Sequence, residues 1–92
     1  MEGEEDTGAA ALRAAVSRLR RELAAYRGSL PERAIAEDEL ATLAGMAPAT
    51  RADLPRLHRC LLTLAGALGS VSALAPALKG VREAVEGVGR GA

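Results

Sequence analysis

The feature that most constrains this chain is an uncharged run of 19 residues between Arg59 and Lys79. That length is close to the roughly 20 residues that a helix needs to cross a bilayer. Within the run, a small residue recurs at every fourth position: Ala65, Gly69, Ala73 and Ala77. This spacing lets two helical backbones approach closely. The segment is therefore either a buried helix with a tight crossing or a membrane span.

The content of the run favours the buried helix. Its six leucines offer about −0.3 to −0.6 kcal/mol each on an insertion scale, roughly −3 kcal/mol together. The run also contains two Gly, two Ser, one Thr and one Pro, which offset most of that gain. Aromatic anchors at the interfaces are missing. A small membrane-associated protein that inserts residues 60–78 therefore stands as the alternative.

The composition indicates one small all-α domain with a thin core. Of the 45 hydrophobic residues among the 92, 21 are Ala and 14 are Leu, and Phe and Trp are absent. Ala and Leu are strong helix formers, but Ala contributes little to burial at about 25 cal/mol per Å². The sequence thus predicts a marginal monomer that self-association would stabilise.

The pattern predicts a bundle of three to four helices over residues 9–88. Residues 1–8 are expected to form a disordered acidic tail, and residues 89–92 a flexible one. The first helix should start near Gly8 or Ala9 and run to Arg27, with Gly28 ending it. Its apolar residues recur at alternating spacings of four and three, which is typical of a coiled-coil stripe. They are Leu12, Val16, Leu19, Leu23 and Tyr26.

The second helix is predicted from its start signal. Ser29 is placed to cap it, Glu32 to complete a capping box, and Pro31 to occupy the first turn. We expect it to end near Ala47. Its predicted apolar face comprises Ile35, Ala36, Leu40, Leu43 and Ala47.

The third helix is predicted to begin after the N-cap Asp53, with Pro55 in its first turn. Its stripe comprises Leu54, Leu57, Leu61, Leu64, Leu68, Val71, Ala75 and Leu78. Glycines, serines and Pro76 lie inside this pattern, and a proline in a helix interior removes a main-chain hydrogen bond. We therefore expect this long helix to be kinked or broken near residues 69–76.

Charge is segmented along a chain whose net charge is zero. Residues 12–27 are strongly basic and residues 32–39 strongly acidic, which suits two helices packed side by side. The pattern predicts that Arg20 or Arg21 lies near the acidic cluster Glu37, Asp38 and Glu39. A weak nucleic-acid binder through the basic first helix is a second alternative, although no aromatic residues accompany its arginines.

Residues capable of chemistry are few. His58 and Cys60 are the single His and the single Cys, and positions two apart on a helix point to different faces. We expect a surface histidine and a small buried cysteine, with no catalytic, cofactor-binding or metal site. A lone cysteine fits a reducing cytoplasm, and the acidic N-terminus does not have the pattern of a secretory signal.

Two runs carry a resemblance to known proteins: ELATLA at 39–44 and LPRLHRCLLTLAGALGSVSALAPALKGVREAVEGV at 54–88. Over roughly residues 10–88 the chain resembles small helical proteins of unknown function in Streptomyces and related actinobacteria. Its layout is also similar to that of helical adaptor modules in bacterial conflict and signalling proteins. The bias of 11 Arg to one Lys agrees with such an origin. The resemblance implies an interaction module without catalysis and assigns no residue a role.

We therefore expect a non-enzymatic protein–protein interaction or oligomerisation module without cofactors. The expected partner is a second copy of the chain or another helical protein. Two sets of residues are the predicted contacts, namely the stripe of the first helix and the small residues of the third. They are Leu12, Val16, Leu19, Leu23, Ala65, Gly69, Ala73 and Ala77.

Overall fold

Four α-helices and two 3-10 turns make up the described part of the protein. The computed structural model describes residues 2–46 and 49–90, and the side chains of residues 8–46 and 49–90. The helices are α1 (Glu2–Ala25), α2 (Arg33–Gly45), α3 (Leu54–Leu68) and α4 (Ala75–Arg90), with 3-10 turns at Arg51–Asp53 and Ser72–Leu74. The all-α class and the expected number of helices are confirmed.

The hydrophobic core lies along the axis of a ring of four helices. Helix α1 packs mainly against α4 and more briefly against α2, while α3 packs between α2 and α4. Among the described side chains, every buried one is apolar. The predicted stripe of the first helix is confirmed as part of this core, because Leu12, Val16, Leu19 and Leu23 are at most 2% exposed. Tyr26 is partly buried against its edge.

Helix α1 begins at Glu2, before the expected start near Gly8 or Ala9. Its range overlaps the predicted acidic tail at residues 1–8. Met1 and the side chains of residues 2–7 lie outside the described residues. At the other end of the chain, α4 extends to Arg90 into the predicted tail at residues 89–92, of which 91 and 92 lie outside the described residues.

Helix α2 starts later than its capping signal predicted. Residues 30–33 form a turn in which the Arg33 amide donates to the Leu30 carbonyl at 3.1 Å. The helix then begins at Arg33, and its N-cap Glu32 makes no side-chain capping hydrogen bond, so the predicted capping box is wrong. The predicted apolar face is confirmed at Ala36, Leu40 and Leu43. The prediction that Ile35 belongs to this buried face is wrong, because Ile35 is exposed. Ala47 lies outside the described residues.

The guanidinium of Arg33 holds the C-terminal end of α1. It donates from Nη1 to the Leu23 carbonyl and from Nη2 to the Tyr26 carbonyl, each at 2.6 Å. The last carbonyls of a helix have no partner within the helix and carry partial negative charge. A planar two-pronged cation can therefore donate to two carbonyls at once: that of Leu23, which also accepts from the Tyr26 amide at 3.2 Å, and that of Tyr26, just after the helix. This contact fixes where α2 starts relative to α1, and it compensates for the absence of a basic residue in the last turn of α1.

The predicted interruption after Leu68 is a break. Helix α3 ends at Leu68, Gly69 follows as the C-cap, and Val71 is extended with φ −99° and ψ 100°. A 3-10 turn at Ser72–Leu74 then leads into α4. Pro76 lies in the first turn of α4, where its missing N–H would have had no helical partner. The long third helix of the sequence prediction is thus two helices joined by a short turn.

The start of α3 and the end of α4 are tied together. Asp53 occupies the N-cap position of α3 and Pro55 lies in its first turn, as predicted, but the Asp53 side chain makes no capping hydrogen bond to α3. The carboxylate of Asp53 accepts from the Thr50 amide at 2.8 Å, within the preceding 3-10 turn. Arg51 donates from Nε to the Gly89 carbonyl at 3.2 Å. A second arginine therefore interacts with the C-terminal end of a helix.

The opposite charges of α1 and α2 come close without forming an ion pair. Arg20 and Glu37 line one groove together with Leu23, Ala24 and Leu40. Within the described residues, the ion pair found is Arg18 with Glu22, at 2.9 Å along α1 itself. The prediction that Arg20 lies near the acidic cluster therefore agrees with the structure, whereas direct pairing across the two helices is not observed.

The uncharged run at residues 60–78 does not form one helix. It is divided between α3, the turn that follows it, and the first residues of α4. In the described parts of the chain, none of the helices combines the length and the apolar character needed to cross a membrane.

Replacing Arg33 should test the link between α1 and α2. Arg33→Ala removes two hydrogen bonds from a cation, and such bonds contribute about 1.5–3 kcal/mol each at most. We expect the free energy of unfolding in urea to fall by about 1–3 kcal/mol. Arg33→Lys should recover part of the lost free energy of unfolding, because lysine keeps the positive charge but not the planar two-pronged geometry of the guanidinium. The exposed Arg27→Ala is the matched control, and an equal loss there would contradict the role of Arg33.

A glycine at position 69 should be required for the C-terminal end of α3 to form as it does. A Cβ at this position would collide with the carbonyl oxygen of Ala65, which accepts the Gly69 amide at 2.8 Å. We expect Gly69→Ala to lower the free energy of unfolding by about 1–3 kcal/mol. Ala73→Leu, on the exposed side of the turn, should change it by less than about 0.5 kcal/mol. A similar loss for Ala73→Leu would show instead that the small residues form a packed ridge.

Candidate interaction groove

An apolar groove lies between α3 and α4. Its volume is about 360 Å³. It is lined by His58, Leu61, Leu62, Ala65, Leu78, Arg82 and Glu86. Leu61 is partly buried and Ala65 is exposed, while Leu62 is 73% exposed. Four apolar side chains thus form the floor and one wall, and three polar side chains complete the lining.

The helical period explains why α3 presents this groove. Leu57, Leu64 and Leu68 face the core and are fully buried. At 100° per residue, Leu61 and Ala65 fall on the flank of α3 that faces α4. Leu62 lies further round, beyond the buried face. Three apolar residues in succession, at 60–62, span more of the helix circumference than the core can cover, so one of them must face solvent.

The α4 wall of the groove changes from apolar to charged along its length. Leu78, Arg82 and Glu86 follow one another at intervals of four residues, so they stand one above the other on the same face. Leu78 is 6% exposed, whereas Arg82 and Glu86 are exposed. The wall therefore offers one cation and one anion a single helical turn apart, above an apolar base.

Most of the residues that the sequence predicted as contacts do not line the groove. The first-helix set Leu12, Val16, Leu19 and Leu23 is covered by the chain's own core. Of the small-residue set, Ala65, Gly69 and Ala73 are exposed and Ala77 is buried at 1%. They belong to two helices and the turn between them, so they do not form a continuous ridge. Ala65 is the one of these eight that lines the groove.

The helical pattern predicted Leu61 as a member of the buried stripe and gave Leu62 no role at the surface. Spacing alone did not indicate Leu61 and Leu62 as groove residues, because it does not show which flank of α3 the next helix packs against. The break at Gly69 instead lets α4 pack beside α3, and Cys60 turns inward at 5% exposure. The doublet of leucines following a cysteine was the signal that could have indicated an apolar surface.

Cys60 lies on the opposite flank of α3, toward α2. A polar groove there is lined by Glu39, Thr42, Arg56, Arg59, Cys60 and Thr63. Burial above all, together with a hydrogen bond to Glu39 and the negative charge of Glu39, raises the pKa of the Cys60 thiol to about 11. The positive charges of Arg56 and Arg59 oppose this rise in pKa. The thiol is therefore held in its protonated, unreactive form, as expected for a small buried cysteine.

The remaining sequence candidates are exposed, apart from Glu39. His58 is exposed, as predicted, on the rim of the apolar groove. Glu37 and Asp38 are exposed on α2, while Glu39 is half-buried beside Cys60. The arginines of α1, at positions 13, 18, 20 and 21, are all exposed. A nucleic-acid role for that basic face stays a prediction.

The fold and the groove define a small all-α protein with an apolar, partly charged groove on one face. The chain belongs to a family of unknown function, DUF5955, whose model matches residues 1–89. A search of the curated proteins found no match, and a search of the solved structures found none either. The expected membership of an uncharacterised family is confirmed. The actinobacterial origin and the likeness to adaptor modules stay predictions.

The raised pKa of Cys60 predicts a loss of stability at alkaline pH. The unfolded thiol ionises near its ordinary pKa of 9.0, whereas the folded thiol ionises near 11. The unfolded state therefore loses its proton first, and the free energy of unfolding falls as the pH rises from 9 to 11. Urea unfolding across this range should show a steeper fall for the native chain than for Cys60→Ala. Equal slopes for the two proteins would contradict the assignment.

Proposed function

We propose that this protein is a non-enzymatic protein–protein interaction module and that the groove between α3 and α4 is its docking surface. The observation that carries the proposal is Leu62, which is 73% exposed beside a groove whose base is already apolar. Burying such a leucine in a partner contact stabilises by about 1.5–3 kcal/mol. Among the described residues, the other large apolar side chains lie in the core or pack partly buried against it, with Ile35 on α2 as the other exposed one.

The shape of the groove suits a helical partner. It runs between two neighbouring helices, and an amphipathic helix places its apolar face into such a groove through residues at helical spacing. Ala65 keeps the centre of the α3 wall low, so a partner backbone can approach closely. Arg82 and Glu86 on the other wall would then orient the partner through charge rather than supply most of the affinity.

The chemistry of the lining supports binding rather than catalysis. His58 is the groove's one imidazole, and the groove lining provides no nucleophile beside it. Cys60 faces α2, and a thiol with a pKa near 11 is poorly suited to nucleophilic attack at neutral pH. A free thiol also fits a reducing compartment such as the cytoplasm, which is where we place the protein.

Site-specific photo-crosslinking in the cells that express the protein tests the proposal. A photoreactive residue at Leu62 should form adducts with other polypeptides, and the same residue at the exposed Ile35 should not. Ala65→Glu in the chain that carries the Leu62 probe should remove the adducts, because it places a charge at the centre of the groove. Both sites are exposed, so the fold is retained. Adducts that form equally from both positions, or that persist with Ala65→Glu, would contradict the proposal.

A further inference from the structure

We infer that the groove is occupied by a second copy of the same chain, related to the first by a two-fold axis. In this arrangement Leu62 of each copy enters the groove of the other, and Arg82 of each copy faces Glu86 of the other. The inference rests on the proposed function, since it names the partner that the docking surface binds. Three properties of the groove carry it: its shape, its charge and its size.

The groove supplies both halves of a self-complementary contact. In a two-fold interface the same patch meets itself, so a protruding residue and the recess that receives it must both belong to that patch. Leu62 protrudes at the rim with 73% exposure, and the recess between Leu61, Ala65 and Leu78 lies next to it. Gly66, adjacent to Ala65, has open space around its Cα, so the outer face of α3 has no bulk that would hold a second α3 away.

The charges on the α4 wall select the same partner. Arg82 and Glu86 carry opposite charge one helical turn apart on the same helix face. A two-fold axis that passes over the groove brings Arg82 of each copy toward Glu86 of the other, once on each side of the axis. A partner of uniformly acidic or basic character would place a like charge against one of the two. The partner that matches both is one with the same pair in reverse order, which a second copy provides.

A two-fold pairing of standard size needs only a small share of the protein's surface. A stable dimer of standard size buries about 800 Å² on each partner. That is about one-seventh of the 5513 Å² of accessible surface. The outer faces of α3 and α4 together make up one side of the four-helix ring. The dimer can therefore form without unfolding the core and without exposing the buried stripe of α1.

Sedimentation equilibrium on the full chain tests the dimer. We expect the native protein to be a dimer at micromolar concentration, and Leu62→Glu to raise the dissociation constant at least a hundredfold. Glutamate is a good helix former at an exposed position, so the variant should keep the helical circular dichroism of the native chain. Ile35→Glu is the matched control on α2, and it should leave the dissociation constant within about threefold, because surface changes outside a contact have small effects.

A charge reversal gives a second test that does not depend on Leu62. Arg82→Glu and Glu86→Arg should each weaken the dimer about tenfold at low salt, since each places like charges opposite one another on both sides of the axis. The double variant Arg82→Glu with Glu86→Arg restores opposite charges and should recover the native constant within about threefold. This recovery is specific to a two-fold pairing, because a different partner would keep its own charges unchanged.

The outcomes separate this inference from the proposed function. A native chain that stays monomeric at several hundred micromolar would overturn the two-fold pairing, as would equal losses from Ile35→Glu and Leu62→Glu or a double variant that does not recover. Adducts from position 62 that contain a different polypeptide would then leave the docking groove in place with another occupant. Adducts with the mass of two copies of this chain, together with recovery in the double variant, support the inference.

Discussion

The structure depends on a core built from short aliphatic side chains. With no Phe or Trp in the chain, its largest buried residues are leucines and valines. Such side chains fill space only when helix backbones lie close together, and each helix can contribute only a narrow buried face. Because four helices form a ring around that core, α1 and α4, the first and last of the chain, must pack against each other. Every described buried side chain is apolar, so polar groups act at the surface and at the helix ends.

Arginines at those ends link the helices of the ring. Arg33 of α2 donates to two carbonyls at the end of α1, and Arg51, before α3, donates to a carbonyl near the end of α4. Each arginine donates to carbonyls at a helix end, and each connects elements that are not otherwise joined by ion pairs in the described residues. A core without large side chains gains orientation from these contacts, since aliphatic packing alone permits helices to slide past one another.

The same narrowness of the buried faces explains the surface of α3. That helix contacts α2 on one flank and α4 on the other. Its apolar residues Leu61 and Leu62 extend further around the helix than these two neighbours can cover. The remainder forms the groove. The opposite flank of α3 carries Cys60, whose thiol pKa is raised to about 11 mainly by burial. The two flanks of this helix therefore differ in character. One side is an apolar surface with balanced charge, and the other is a polar groove over an unreactive thiol.

The helical spacing of apolar residues and the positions of helix-breaking residues determined much of the fold. The all-α class, the buried stripe from Leu12 to Leu23 and the interruption after Leu68 follow from residue spacing and from glycine, serine and proline, because these act locally on the backbone. Tertiary structure decided what local signals do not encode. It placed the Arg33 guanidinium against the end of α1, left Ile35 exposed, and left Leu61 only partly buried. The break also divided the small residues between two helices. In each case the outcome depends on which neighbour lies beside a flank, and that is a property of the packed bundle rather than of any one helix.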